Sequence, residues 1–149
     1  MTRSVHAEID IAAPPERVWG ILTDFAAFPR WNPFVRRATG DLREGDRLTI
    51  GLRLFRGPLT TFKPTVTRVE PNRELRWLAH LLTPGLLDTV RIFRIVPQND
   101  GSVRFIQHED CTGTLAAPLF ALGLGGRIRR GYLAMNRALK AQAERPSAE

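Results

Sequence analysis

Ile11-Ala-Ala-Pro-Pro-Glu-Arg-Val-Trp-Gly-Ile-Leu-Thr-Asp-Phe25, with Phe28-Pro-Arg-Trp-Asn-Pro33 close behind it, decides how the rest of this chain is read. An alternating run, Val5, Ala7, Ile9 and Ile11, leads into it as a strand. The proline pair suits a helix start, where a missing N–H and a fixed φ do no harm. Val18, Ile21, Leu22 and Phe25 then recur at helical spacing and give that helix one apolar face. A second short helical turn ends at Trp31-Asn-Pro. Several strand-like runs and one long helical tail follow. Strand, two short helices, many strands, one long helix: this order predicts an α+β domain with a hollow interior, and therefore ligand binding.

The strands follow from alternation and turn punctuation. They are expected at 34–39, 47–54, 60–69, 74–81, 89–96 and 103–111, with turns such as Arg56-Gly-Pro58, Glu70-Pro-Asn-Arg73 and Gln98-Asn-Asp-Gly101 between them. Short turns at this spacing imply an antiparallel meander with one buried face. From Pro118 to Ala143 the pattern is helical, with Phe120, Leu124, Ile128, Met135 and Leu139 as an apolar stripe flanked by Tyr132 and Ala138. At 1.5 Å per residue such a helix runs about 39 Å, enough to cross a sheet. Gly123, Gly125, Gly126 and Gly131 crowd its first half. Each costs about 1 kcal/mol relative to alanine inside a helix. That half is either bent and weak or packed closely on the sheet.

The bulk numbers narrow the class. A chain of 149 residues, 43% hydrophobic and 25% charged, fits one globular domain, expected over 1–144 with a frayed tail at 145–149. No apolar run approaches the ~20 residues of a membrane span. No apolar segment near the start reads as a signal peptide. The single Cys111 excludes an internal disulfide and a cysteine-built zinc site, and it fits a cytoplasmic location. The formal net charge is +7, yet only Lys63 and Lys140 of the 22 basic residues are lysines, and no basic run is longer than Arg129-Arg130. Specific nucleic-acid binding is not expected from so scattered a distribution. The arginines of the last helix, Arg127, Arg129, Arg130 and Arg137, read as a solvated face.

No phosphate loop, nucleophile elbow or metalloprotease motif occurs. His108-Glu109-Asp110 is tempting as a metal cluster, but neighbours on a strand point to opposite faces. No metal and no cofactor is expected. Arg91, Phe93 and Ile95 share one strand face, and Phe105, Gln107 and Glu109 share one face of the next. If the apolar members point inward, Arg91 and Glu109 point inward with them, and buried charges need partners. The two then form a polar spot in an apolar cavity; with the phase inverted by a bulge, both would be solvated. Trp77 alternates with Leu75 and Ala79 towards the same interior, as core or as cavity wall.

These motifs, taken in order, resemble the START-like helix-grip superfamily, and within it the polyketide cyclase/dehydrase-like bacterial domains. The likeness rests on Ile11-x-Ala13-Pro14-Pro15-Glu16-x-Val18-Trp19, on Phe28-Pro29-Arg30-Trp31-Asn32-Pro33, on Phe93-x-Ile95-x-Pro97-x-x-Asp100-Gly101 with Glu109-x-x-x-Gly113, and on Tyr132-x-x-Met135-Asn136-x-Ala138-Leu139-Lys140. The resemblance implies a curved seven-stranded antiparallel sheet gripping the C-terminal helix over a cavity. It implies a binding or carrier domain for a small hydrophobic or amphipathic molecule, with a cyclase or dehydratase as the alternative. On that basis Trp31, Phe62, Trp77, Arg91, Phe93, Phe105, Glu109, Phe120, Leu124 and Ile128 are the expected ligand-binding residues, in a monomer or homodimer. Arg91 departs from the family pattern, in which a histidine stands two residues before the phenylalanine of that strand. No role of that histidine carries over to this chain.

Overall fold

The computed structural model describes residues 2–146. Strand β1 (Arg3–Ile11) leads into helix α1 (Pro15–Thr23), a 3-10 turn at Phe25–Ala27 and helix α2 (Phe28–Trp31). Strands β2 (Val35–Thr39), β3 (Thr49–Leu52), β4 (Thr60–Phe62), β5 (Thr65–Glu70), β6 (Glu74–Leu81), β7 (Leu87–Pro97) and β8 (Val103–Thr112) follow. Helices α3 (Ala116–Ala121) and α4 (Leu124–Glu144) close the chain.

The strands form two antiparallel sheets rather than one of seven strands. One is ordered β1-β8-β7-β6-β5 and the other β2-β3-β4. The expected strand over 60–69 breaks at Lys63-Pro64, where proline has no N–H to give to a ladder. The sheets stay joined at that seam. Leu48 N–H donates to Pro64 O (2.9 Å), Val66 N–H to Asp46 O (2.8 Å) and Gly45 N–H to Val66 O (2.8 Å). Chain direction therefore bends from one sheet into the other, which supplies the curvature.

The expected helix over 118–143 also divides. It begins two residues earlier, stops after Ala121, and restarts at Leu124 after Gly123. Gly123 has φ 98°, in the left-handed region where a side chain would be strained. Beyond the break, α4 lays Ile128, Tyr132, Met135, Asn136, Leu139 and Ala143 on the sheet. Both readings of the glycine-rich half hold, at different residues. Gly123 bends the chain, whereas Gly131 packs so closely that a Cβ there would sit 2.3 Å from the Phe34 ring. The C-terminal end of α4 is fixed by α1: Arg17 Nε donates to Ala143 O at 2.5 Å and Arg17 Nη2 to Arg145 O at 2.8 Å. Of the tail expected at 145–149, Arg145 and Pro146 lie outside the helix, and 147–149 lie outside the described residues.

One apolar cluster ties these parts together. Val5, Ile11, Val18, Leu22, Phe28, Leu75, Phe93, Ile95, Val103, Phe105, Met135 and Leu139 are all buried within it. Among the described residues no helix is long and apolar enough to cross a membrane.

Candidate functional site

Beside this core the two sheets and the helices leave a cavity of about 220 Å³. That exceeds the ~150 Å³ apolar cavity that stays dry and admits a benzene ring. Its walls come from both sheets and both C-terminal helices. Ile50 and Leu52 of β3, Phe62 of β4 and the β3–β4 loop residues Leu54 and Phe55 line one side. Trp77, Ala79 and Leu81 of β6, Thr89 and Arg91 of β7, and Glu109 and Cys111 of β8 line the other. Leu119 of α3 and Leu124 and Ile128 of α4 close it.

Polar groups in this wall are few, and they converge. Arg91 and Glu109 are direct partners in the β7–β8 register. Both line the cavity, which is the inward of the two phases the sequence left open. Within this polar spot their hydrogen bonds go to different partners. Arg91, only 4% exposed, gives its Nη2 to Gln107 Oε1 at 2.7 Å. Its guanidinium carbon lies 4.6 Å from the ring centres of both Phe93 and Tyr132, and 5.7 Å from that of Trp77. Such an aromatic cage stabilises a cation that burial would otherwise disfavour. Arg91 Nε has no hydrogen-bond partner among the described residues.

Glu109 accepts a hydrogen bond from Tyr132 Oη instead. Burial pushes the Glu109 carboxyl above the usual carboxylate range, while the Arg91 charge and the bonds from Tyr132 and Thr89 oppose the shift. Burial and the adjacent Glu109 charge raise the Tyr132 phenol well above its ordinary value. Gln107 completes the connection to the helix by donating Nε2 to Asn136 Oδ1 at 2.7 Å. Arg91, Gln107 and Asn136 thus form a buried row from sheet to helix, with Glu109–Tyr132 beside it. Cys111 lies farther along β8, and burial pushes its thiol up to about 12.

Of the residues expected to bind ligand, Phe62, Trp77, Arg91, Glu109, Leu124 and Ile128 line the cavity. Trp31, Phe93, Phe105 and Phe120 do not. Trp31 packs edge-on against Phe28, with ring centres 5.3 Å apart. Phe93 and Phe105 are buried in the core and stack on each other. The Phe120 ring lies over Gly125, where it would meet an added Cβ at 2.8 Å. Alternation assigns a face but no position along the strand, and Phe93 and Phe105 lie on the inward face in the core rather than at the cavity. Tyr132 and Asn136 are absent from the sequence-based site. Their spacing of one helical turn on the apolar stripe was the available signal, because a polar residue there must find a partner inside.

Elsewhere, His108 shares no site with Glu109. It pairs across the outer face with His6, Nδ1 to Nδ1 at 3.0 Å, and bonds Asp110 at 2.9 Å. His80 is exposed, as its phase implied, and bonds Asp88 at 2.6 Å. No group of three or more potential metal-ligating side chains occurs among the described residues.

A family model described as polyketide cyclase / dehydrase and lipid transport matches residues 2–144. No curated protein matches the sequence. Solved structures of the same architecture are numerous. Protein MLL2253 from Mesorhizobium loti is 22% identical, with a TM-score of 0.72 over 98% of this chain and 100% of its own. The Zhui aromatase/cyclase from a Streptomyces strain is 17% identical, with a TM-score of 0.78 over 97% and 95%. A START superfamily protein from Mycobacterium smegmatis is 21% identical, with a TM-score of 0.71 over 95% and 97%. At these identities the likeness establishes the helix-grip fold.

Proposed function

Because this chain belongs to the polyketide cyclase / dehydrase and lipid transport family, we propose that it binds a small amphipathic molecule, largely apolar with one polar end, in the cavity between the sheets and helix α4. The observation that carries this reading is the composition of the wall. Nearly all of it is aliphatic or aromatic, and its polar groups, chiefly Arg91 and Glu109, lie at neighbouring positions on β7 and β8. An apolar pocket with a few convergent polar groups orients a ligand while burial supplies the affinity. Phe62, Trp77, Leu124 and Ile128 would hold the apolar body. Arg91, with Nε unpaired, would receive an acceptor such as a carboxylate or phenol oxygen. In this reading residues 1–144 act as one domain, in the cytoplasm, as a monomer or homodimer.

Native mass spectrometry of the purified protein, then denaturing extraction, tests whether an apolar molecule co-purifies. Titration with 2-naphthoate, a fused ring carrying one carboxylate, tests the polar end. We expect Arg91→Leu to weaken naphthoate binding about tenfold or more, the size of a lost charge-assisted hydrogen bond. Unchanged affinity in a folded variant would refute the assignment of Arg91.

A second reading, a cyclase or dehydratase, is favoured by one feature. Glu109 faces the cavity with its carboxyl raised by burial, as a group that must both hold and release a proton is. The same shift has a signature in stability. With its folded pKa above the unfolded one, Glu109 contributes stability below the unfolded value and loses it as pH rises through the folded value. Glu109→Gln keeps an acceptor for Tyr132. The variant should therefore gain stability over the parent as pH rises, and the gain should vanish in acid. Parallel denaturation midpoints across pH would count against it.

A further inference from the structure

Large apolar side chains stand almost free in solvent at one place in the chain's surface. Leu82 is 87% exposed and Leu122 is 84% exposed, and Phe55 is half exposed while also lining the cavity. Single exposed leucines are ordinary; these occupy loops that frame one opening. Leu82 sits in the β6–β7 loop, between Leu81 and Leu87, both of which line the cavity. Leu122 sits in the α3–α4 break, between Leu119 and Leu124, which also line it. The β6–β7 loop is tied to the β8–α3 connection, one short helix before that break, by Thr114 N–H to Gly85 O (3.0 Å) and Leu115 N–H to Leu86 O (2.8 Å). Residues 81–87 and 113–126 carry no charge at all.

Charge around this uncharged surface is mostly positive; one carboxylate, Asp88, is held at its edge by Gly85 N–H (3.1 Å) and His80 (2.6 Å). No Asp or Glu occurs from Arg47 to Val69, from Leu81 to Leu87, or from Cys111 to Ala143, although the chain has 15 acidic residues. Arg53, Arg56, Lys63 and Arg127 are exposed there. Arg127 lies over the Phe55 ring at 4.7 Å and donates to Leu54 O at 2.9 Å, which ties the start of α4 to the β3–β4 loop. Exposed apolar residues on segments that carry arginine and almost no acidic groups match the interface of an anionic bilayer. There, leucine and phenylalanine enter the acyl boundary and the cations meet lipid phosphates.

We propose that this end of the molecule, with Leu82, Leu122 and Phe55 at its tip and Arg53, Arg56 and Arg127 around them, docks on an anionic membrane surface with the cavity mouth facing the lipid. An acidic protein would satisfy the arginines but leave no reason for two leucines held at nearly full exposure. Docking would let an apolar molecule pass between bilayer and cavity without crossing water. It is scored without any cavity ligand, so it stands or falls separately from the binding function.

The test is flotation of the full chain with phosphatidylcholine vesicles, with and without phosphatidylglycerol. Binding is expected only with the anionic lipid. The double variant Leu82→Asp/Leu122→Asp, in residues that do not line the cavity, should lose about tenfold or more in vesicle affinity. Its circular dichroism and naphthoate affinity should remain those of the parent. Three results would overturn the proposal: no flotation with either vesicle; binding that salt abolishes but the leucine substitutions leave intact, which would point to a polyanionic partner; or a dimer in sedimentation that the double variant dissociates, which would assign the face to a second copy.

Discussion

Between Tyr132 and Ala143, helix α4 buries Tyr132, Met135, Asn136, Leu139 and Ala143; between Leu124 and Gly131 it buries only Ile128. The C-terminal half is a structural rib, filled against β1 and the inner face of the large sheet and fixed at its end by Arg17. The N-terminal half contains three glycines, follows a left-handed Gly123, and contributes Leu124 and Ile128 to the cavity wall. One helix thus combines a well-packed half with a loosely held half. The boundary falls at Gly131–Tyr132, where Gly131 presses on Phe34 and Tyr132 bonds Glu109. A cavity beside a continuous core needs such an asymmetry, because a helix packed along its whole length would leave no space to fill.

Substitutions along α4 should reproduce that division. Leu139→Ala, in the rib with no exposure, should cost about 2–5 kcal/mol, read as a drop in the chemical-denaturation midpoint. A cost below that range would mean the rib relaxes and is not close-packed. At the boundary, Gly131→Ala should cost about 1–3 kcal/mol, because its Cβ collides with the buried Phe34 ring. Phe34 lines the cavity, so naphthoate affinity should change as well. In the loose half the sign should reverse. A Cβ at Gly126 meets only Arg130 Nη1, at 3.8 Å. Gly126→Ala should then stabilise by about 0.5–1 kcal/mol through helix propensity alone. Should Gly126→Ala destabilise as Gly131→Ala does, the two halves would be equally packed and the comparison would fail.

The sequence made the order of elements and the inward face of β7 and β8 readable, because alternation and proline or glycine punctuation are local. Arg91 and Glu109 could be placed on the cavity side for that reason. The seam at Lys63-Pro64 is not legible, because Thr60, Phe62, Val66 and Val69 still read as one apolar-rich strand. The mouth of the cavity was invisible for a different reason. It depends on where α4 stops filling the sheet, and that is set by pairs distant in sequence, such as Phe34 with Gly131 and Arg17 with Ala143. The Arg91–Gln107 bond is hidden in the sequence on the same grounds. Gln107 is two residues from Glu109 on the same face, and only the height of the helix above them selects it.

Cys111 gives this asymmetry a clock. It is the chain's single thiol, it is buried in the cavity wall, and its pKa is pushed up to about 12. A buried neutral thiol does not alkylate, so reaction with a reagent such as iodoacetamide must wait for the wall to open and admit water. With no other cysteine to contribute, the labelling rate of the intact protein counts openings one at a time, and an occupant of the cavity would lengthen the interval between them.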